Sequence, residues 1–247
     1  MFVQKRNINP LNLCKMVIGK GLLAKAFKQY ENDDEVIIFA SGVSNSKEIS
    51  ESEFEREENL LKSISNKDAL LVYFGTCSVY DPTVQMSRYV RHKMHMERLV
   101  SLYFHKSIVF RLPIIVGHTN NPNTFFNFIK EQIEKGNSIP VHFSASRHLV
   151  DIDDLALLLP GIIETYKGVK NLEKFKKKIE VSFNNGIMVL DIVKMMLDIM
   201  NKKNDIEIIY GGCDYDFPKK DFSDYLKSIN YQLPENYTYN LLKKYLL

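Results

Sequence analysis

An α/β fold, a parallel sheet flanked by helices, is what this 247-residue sequence predicts. Three observations carry that prediction. Short apolar runs rich in β-formers alternate with amphipathic stretches of helical period. A glycine turn, Gly19-Lys20-Gly21-Leu22-Leu23-Ala24, stands between the first such run and the first helical stretch. Finally, Gly19, Ser41, Thr76 and Pro113 all fall at the ends of predicted strands, which is where sheets of this kind bind ligands.

Leu13–Ile18 reads as the first strand, weakened by Lys15, and the glycine turn leads into a helix through Tyr30. Glu35–Ala40 is the next strand, ending in the small residues Ala40, Ser41 and Gly42, which allow close backbone approach. The stretch 53–64 is an amphipathic helix with Phe54, Leu60, Leu61 and Ile64 available to pack. A buried strand over 70–74, bounded by Gly75, precedes a helix that carries Tyr89 and Lys93. Ser107–Ile115 is a further buried strand, broken by Pro113 and closed by Gly117. Beyond it come a polar loop over 118–124, a helix over 125–135 and a loop and strand over 137–150. Asp151 to Asp154 then cap a helix from Leu155 to about Tyr166. The lysine cluster Lys174, Lys176, Lys177 and Lys178 reads as a solvated loop or helix end. It leads to a strand over 179–183, a methionine-rich helix over 189–200 whose apolar face suits a core, and two short helices in the tail. The domain reading is a core over 11–117 and a small mixed α/β C-terminal lobe over 118–247, some segments of which return to the core.

With 45% hydrophobic and 26% charged residues, the composition is that of a globular protein able to bury a sizeable core. A net charge of +3 without a long basic stripe argues against a nucleic-acid partner. Cys14, Cys77 and Cys213 are odd in number and widely spaced, giving neither a disulfide framework nor a metal motif. No apolar run approaches the ~18 residues of a membrane span, and residues 1–15 lack the apolar stretch of a signal peptide. The expectation is a cytoplasmic protein with a short extension before the first strand, Met16 being an alternative start.

The chemistry concentrates in one stretch. Thr76 follows the strand over 70–74, Tyr89 comes thirteen residues later, and Lys93 four after that. On a helix, positions i and i+4 share a face, and an ammonium beside a phenol favours its ionised form. A hydroxyl at a strand end and such a pair on the next helix would together grip a carbonyl oxygen.

The segments VIGKGLLAKAF, VIIFASG, LVYFGTCSVYDP, YVRHK, FRLPIIVG, RHLVDIDDLA and EVSFNNGIMVLDIVKMMLDIM appear in this order over most of residues 13–200. In them the chain resembles the extended short-chain dehydrogenase/reductase family, in its nucleotide-sugar epimerase, dehydratase and reductase branch. The resemblance implies a Rossmann-like core, a bound nicotinamide dinucleotide and a nucleotide-sugar substrate held by the C-terminal lobe. Thr76 would hydrogen-bond the substrate oxygen, Tyr89 would exchange the proton, and Lys93 would hold the nicotinamide ribose and acidify the tyrosine. Gly19, Lys20, Gly21 and Leu22 would form the pyrophosphate turn, with Ala40, Ser41, Gly42 and Pro113 also lining the cofactor. Arg147 matches a diphosphate-clamping position, which suits a planar guanidinium, and His118 is a candidate acid or substrate ligand.

The departures are informative. Only about a dozen residues separate the first helix's start from EVIIFA, where the family usually places a further strand and helix plus another strand. A shortened sheet is therefore expected, without the strand whose last residue selects between NAD and NADP. Lys20 and Lys47, with no acidic residue in place, favour NADP(H) over NAD(H). Cys77-Ser78 stands where the family's dehydratases carry an acid pair, and Ile114 where many members have an asparagine. The expected function is reduction of a keto group on a nucleotide-activated sugar for surface polysaccharide synthesis, by a homodimer. Epimerisation through a transient ketone and a non-catalytic dinucleotide sensor are the alternatives.

Overall fold

The structure is a computed structural model and describes residues 16–167, 175–183 and 185–247. The first half runs β1 (Val17–Ile18), α1 (Leu22–Ala26), β2 (Val36–Phe39), α2 (Glu51–Lys62), β3 (Leu70–Thr76), α3 (Arg88–Tyr103), β4 (Lys106–Leu112) and β5 (Ile114–Val116). It continues with α4 (Phe125–Lys135), β6 (Ile139–His142), β7 (Ser146–Arg147), β8 (Leu149–Asp151) and α5 (Ile152–Lys167). The chain ends with β9 (Phe175–Glu180), β10 (Ile187–Met188), α6 (Val189–Ile199), β11 (Ile206–Ile209), α7 (Lys220–Ser228) and α8 (Tyr237–Leu246).

Among the described residues, five strands form an all-parallel central sheet in the order β1-β2-β3-β4-β9. Strand pleating divides the side chains between two layers. Ile37, Phe39, Leu71, Tyr73 and Val109 pack with Leu61 and Ile64 near α2 and with Met96, Val100 and Phe104 near α3. Val36, Ile38, Leu70, Val72, Phe74, Ile108 and Phe110 pack on the opposite face with Phe27, Tyr30 and the α5 residues Leu155 and Leu159. Helices thus cover both faces, as near-continuous apolar strands require.

The shortened sheet is borne out, and it has a topological consequence. Every crossover steps the same way across the sheet, yet α1 and α5 lie on one face and α2 and α3 on the other. Crossovers of one hand would put all these helices on one face. The connections through α1 and α5 therefore have the opposite hand to those through α2 and α3, a departure from the usual uniform hand. Packing holds α1 on its face: Phe27, just past the helix, meets Phe74 of β3 at 5.2 Å between ring centroids.

The later elements complete the main core. β5 pairs with β8 and β6 with β11, both parallel, and β7 pairs antiparallel with β10. α4, α6 and α8 contribute Ile129, Val193 and Leu242 to the same apolar cluster.

Several expectations are corrected. The strand expected over 107–115 is two, because Pro113 lacks an amide donor and bends the chain: β4 pairs with β3 and β9, whereas β5 pairs with β8. Lys176, Lys177 and Lys178 lie in β9 and not in a loop, so this strand spans 175–180 where 179–183 was expected. β9 is the sheet's outer strand, where lysines are commonly placed. α5 begins at Ile152, with Asp151 Oδ1 accepting the Asp153 amide at 3.0 Å. α1 ends at Ala26 and passes into a 3-10 turn over Lys28–Tyr30. β11 is an addition. Lys15, Cys14, Lys174 and the start of the first predicted strand lie outside the described residues, among which Cys77 and Cys213 are free thiols. No helix among the described residues is long and apolar enough to cross a membrane, and no metal-binding cluster occurs among them.

The acidic segment after β8 fastens the last helix. Asp151 accepts from the Tyr245 hydroxyl at 2.6 Å and the Lys244 ammonium at 2.7 Å, and Tyr237 donates to Asp154 at 2.6 Å. Asp151→Ala is expected to lower unfolding stability by about 2–4 kcal/mol by stranding these donors, measurable by urea denaturation.

Candidate active site

β1 and β2 are neighbours whose following helices leave toward opposite faces, and such a divergence opens a crevice at the carboxyl ends of the strands. The glycine turn lies on one side of it and Ala40, Ser41 and Gly42 on the other. Gly19 sits at φ 137°, and a Cβ there would stand 2.4 Å from the Ala40 carbonyl oxygen, so only glycine lets the two strand ends approach. A Cβ on Gly21 would meet nothing within 4 Å, leaving that backbone open to a ligand. Lys20 is exposed, while Leu22 packs against Gly117 and the core. Arg56 of α2 donates to both the carbonyl and the hydroxyl of Ser41 at 3.2 Å, tying down that side. A cleft of about 770 Å³, lined in part by Gly19, Lys20 and Ser41, continues from here along β1 between α1 and α2.

Thr76 ends β3, buried, and its hydroxyl accepts the Ser78 amide at 3.1 Å. Ser87 caps α3 by accepting the Val90 amide, so the helix starts at Arg88 and sets Tyr89 and Lys93 one turn apart. Tyr89 is half-buried and Lys93 buried. The Lys93 ammonium donates to the Tyr73 hydroxyl at 3.2 Å, Glu57 Oε1 at 3.3 Å and the Phe74 carbonyl at 3.4 Å.

The sequence reading missed the residue at the centre of this network. Glu57 is fully buried on α2. Its Oε1 accepts from Tyr73 (2.8 Å) and Lys93, and its Oε2 from the Val43 amide (2.7 Å) and the His92 Nε2 (3.0 Å). Burial alone would raise the carboxyl, but the Lys93 charge and the hydrogen bonds from His92, Val43 and Tyr73 outweigh it and hold the group down at about 2. Burial, and then Glu57 itself, push the Tyr73 phenol up, so it stays a donor. A signal was present: Phe54, Glu57, Leu61 and Ile64 fall on one helical stripe, and a carboxylate on an apolar stripe demands a partner.

Pro113 is next to Thr76, one residue past the threonine's register partner Leu112, and occupies the bend between β4 and β5. Arg147 donates to the Ser146 carbonyl and pairs at 3.7 Å with Asp81, in the loop that Thr76 opens. His118 is exposed and meets the Tyr245 ring edge-on at 4.9 Å. Cys77 donates to the Arg111 carbonyl, and burial pushes its thiol well up, so it is neither a nucleophile nor an acid near neutrality.

A model of the NAD dependent epimerase/dehydratase family matches residues 4–176. No functionally curated protein matches the chain. Among solved structures, a dTDP-4-dehydrorhamnose reductase from Clostridium acetobutylicum is 13% identical with a TM-score of 0.63, over 91% of this chain and 84% of that one. UDP-glucuronic acid 4-epimerase from Bacillus cereus, in complex with NAD, is 16% identical with a TM-score of 0.62, over 93% and 79%. dTDP-glucose 4,6-dehydratase from Bacillus anthracis, also with NAD, is 14% identical with a TM-score of 0.53, over 78% and 63%; the chain thus spans less than two thirds of that enzyme. At these identities the likeness shows the Rossmann-like fold.

Glu57→Ala, which strands the Lys93 ammonium in the core, is expected to cost about 3–5 kcal/mol in denaturant unfolding. Since the folded Glu57 titrates at about 2, below its ordinary 4.5, its stabilisation is present above pH 4.5 and fades as pH falls toward 2. The gap in urea midpoint between wild type and Glu57→Gln should narrow over that acid window.

Proposed function

Because the chain belongs to the NAD-dependent epimerase/dehydratase family, we propose that it is a ketoreductase that uses NADP(H) in preference to NAD(H) on a nucleotide-activated sugar. The observation that carries this reading is the placement of Thr76 at the end of β3 and of Tyr89 and Lys93 one turn apart on the next helix, Lys93 lying against Gly42. The cofactor, when bound, supplies hydride to the carbonyl carbon of the sugar. The chain's own residues do the rest. Thr76 orients the carbonyl oxygen, and Tyr89 gives it a proton as the carbonyl becomes an alcohol. Lys93 holds the nicotinamide ribose and offers a positive field that the Glu57 carboxylate partly offsets. The glycine turn and the Ser41–Gly42 backbone receive the pyrophosphate side, and Lys20, with Lys47 beyond the shelf, favours a 2′-phosphate. Residues 118–247, apart from α5 and β9, which return to the core, are read as the substrate lobe, with Arg147 toward the diphosphate and His118 as a further ligand. Surface polysaccharide synthesis and a homodimer remain part of the proposal.

The dehydratase branch of the family is disfavoured here. Cys77-Ser78 offers no carboxyl pair for eliminating water, and the Cys77 thiol is held protonated by burial. Epimerisation needs the same Tyr89 and Lys93 and differs in returning the cofactor to its starting state. A non-catalytic dinucleotide sensor gains support from one observation, that protein acceptors engage the Lys93 ammonium at three points.

Tyr89→Phe should abolish turnover of a keto-sugar nucleotide while leaving dinucleotide affinity nearly unchanged; normal turnover would overturn the catalytic assignment. Loss of the nicotinamide absorbance in proportion to product marks a reductase, no net change an epimerase, and binding without turnover across a panel of nucleotide sugars a sensor.

A further inference from the structure

The interior beside the crevice holds charge that hydride transfer does not itself require. Glu57 has no solvent exposure, and its four donors come from three different places: the backbone just past the Ser41–Gly42 shelf, strand β3, and two successive residues of α3. His92 is itself packed against Phe54 of α2 at 4.6 Å between ring centroids, so the α2–α3 contact is closed around the carboxylate. The shelf lies directly on the pair. A Cβ on Gly42 would stand 2.5 Å from the Lys93 ammonium nitrogen and 3.0 Å from Glu57 Oε1. Glycine at 42 therefore lets the backbone rest on a buried ion pair.

A lysine side chain has four rotatable bonds and a compact charge that many arrangements would satisfy. Here its rotamer freedom is removed by acceptors on three sides. The Phe74 carbonyl and the Tyr73 hydroxyl are neutral, and Glu57 supplies the only formal charge among these three partners. We propose that Glu57 is a positioning residue of the dinucleotide site: it fixes the Lys93 ammonium beneath Gly42 and, through the Val43 amide, fixes the shelf over it. The proposal rests on the dinucleotide-binding reading above and adds to it a residue that touches neither cofactor nor substrate. Glu57 acts twice on one place, holding the cation with one oxygen and the backbone with the other.

This makes the effects of Glu57 and Lys93 on cofactor affinity dependent on each other. The test is a double-mutant cycle on NADPH affinity, read by nicotinamide fluorescence with Glu57→Gln, Lys93→Met and the double variant, each checked for native circular dichroism. Removing both charges of a buried pair is better tolerated than removing one, so the double variant guards against a simple failure to fold. Each single variant is expected to weaken NADPH by about ten- to hundredfold, and the double variant no more than Lys93→Met alone. Gly42→Ala supplies an independent arm. Its methyl crowds the Lys93 ammonium and Glu57 Oε1 without removing either charge, so it should weaken NADPH by at least about tenfold while native circular dichroism is kept; unchanged affinity would overturn the role of the shelf. Additive losses in the cycle, or unchanged affinity in Glu57→Gln, would overturn the positioning role. Wild-type protein that binds neither NADPH nor NADH would instead remove the dinucleotide reading, and this inference with it.

Discussion

A carboxylate cut off from water must find a hydrogen-bond donor for each of its oxygens, or its burial costs the fold several kcal/mol. Glu57 meets that demand by drawing on the loop after β2, on β3 and on α3 at once. Three elements are thereby placed relative to one another by a single group. Because the constraint is electrostatic and directional, it fixes positions that apolar packing alone would leave free to slide. Apolar contacts among Leu61, Met96 and Val100 decide that α2 and α3 lie on the sheet. The Glu57 network decides where along it they stop, and so where the Lys93 ammonium ends up.

The second constraint is topological. Shortening the connection between β1 and β2 leaves the glycine turn beside a strand that begins with a different helix face behind it. The ligand crevice of an open parallel sheet depends on neighbouring strand ends sending their chains to opposite faces. That condition survives here without a reversal of strand order, because α1 keeps its place on the α5 face through Phe27 and Tyr30. A change in crossover hand is what preserves the crevice in a smaller sheet.

Much of this was legible from residue order. Glycines, small residues and hydroxyls at strand ends marked the crevice, and the brief interval before EVIIFA marked the shortened sheet. What escaped did so for physical reasons. Glu57 looks like any glutamate on a charged helix until the 54, 57, 61, 64 stripe is traced, and Tyr73 looks like an apolar strand residue although its hydroxyl has a buried partner. Lys176–Lys178 carry the charge density of a loop, and only pairing with β4 makes them a strand. β11 is an Ile-rich run interrupted by Glu207 and partly exposed along its length, and its pairing with β6 across more than sixty residues is a tertiary event. Lys93 and Tyr89 were found as a pair, whereas the acceptors that hold Lys93 come from chain segments remote in sequence.

The two rims of the central sheet bear on how copies of the chain meet one another. Unpaired backbone along an outer strand is a template on which another chain can add. On the β9 side stand the successive lysines 176–178, with Lys177 paired to Asp221 and Lys178 to Glu97, and a strand adding there would have to desolvate these charges. On the β1 side the strand among the described residues is Val17 and Ile18, both uncharged. A sheet of few strands has proportionally more rim to protect, and along β9 this chain meets that need with side chains that carry charge at three successive positions.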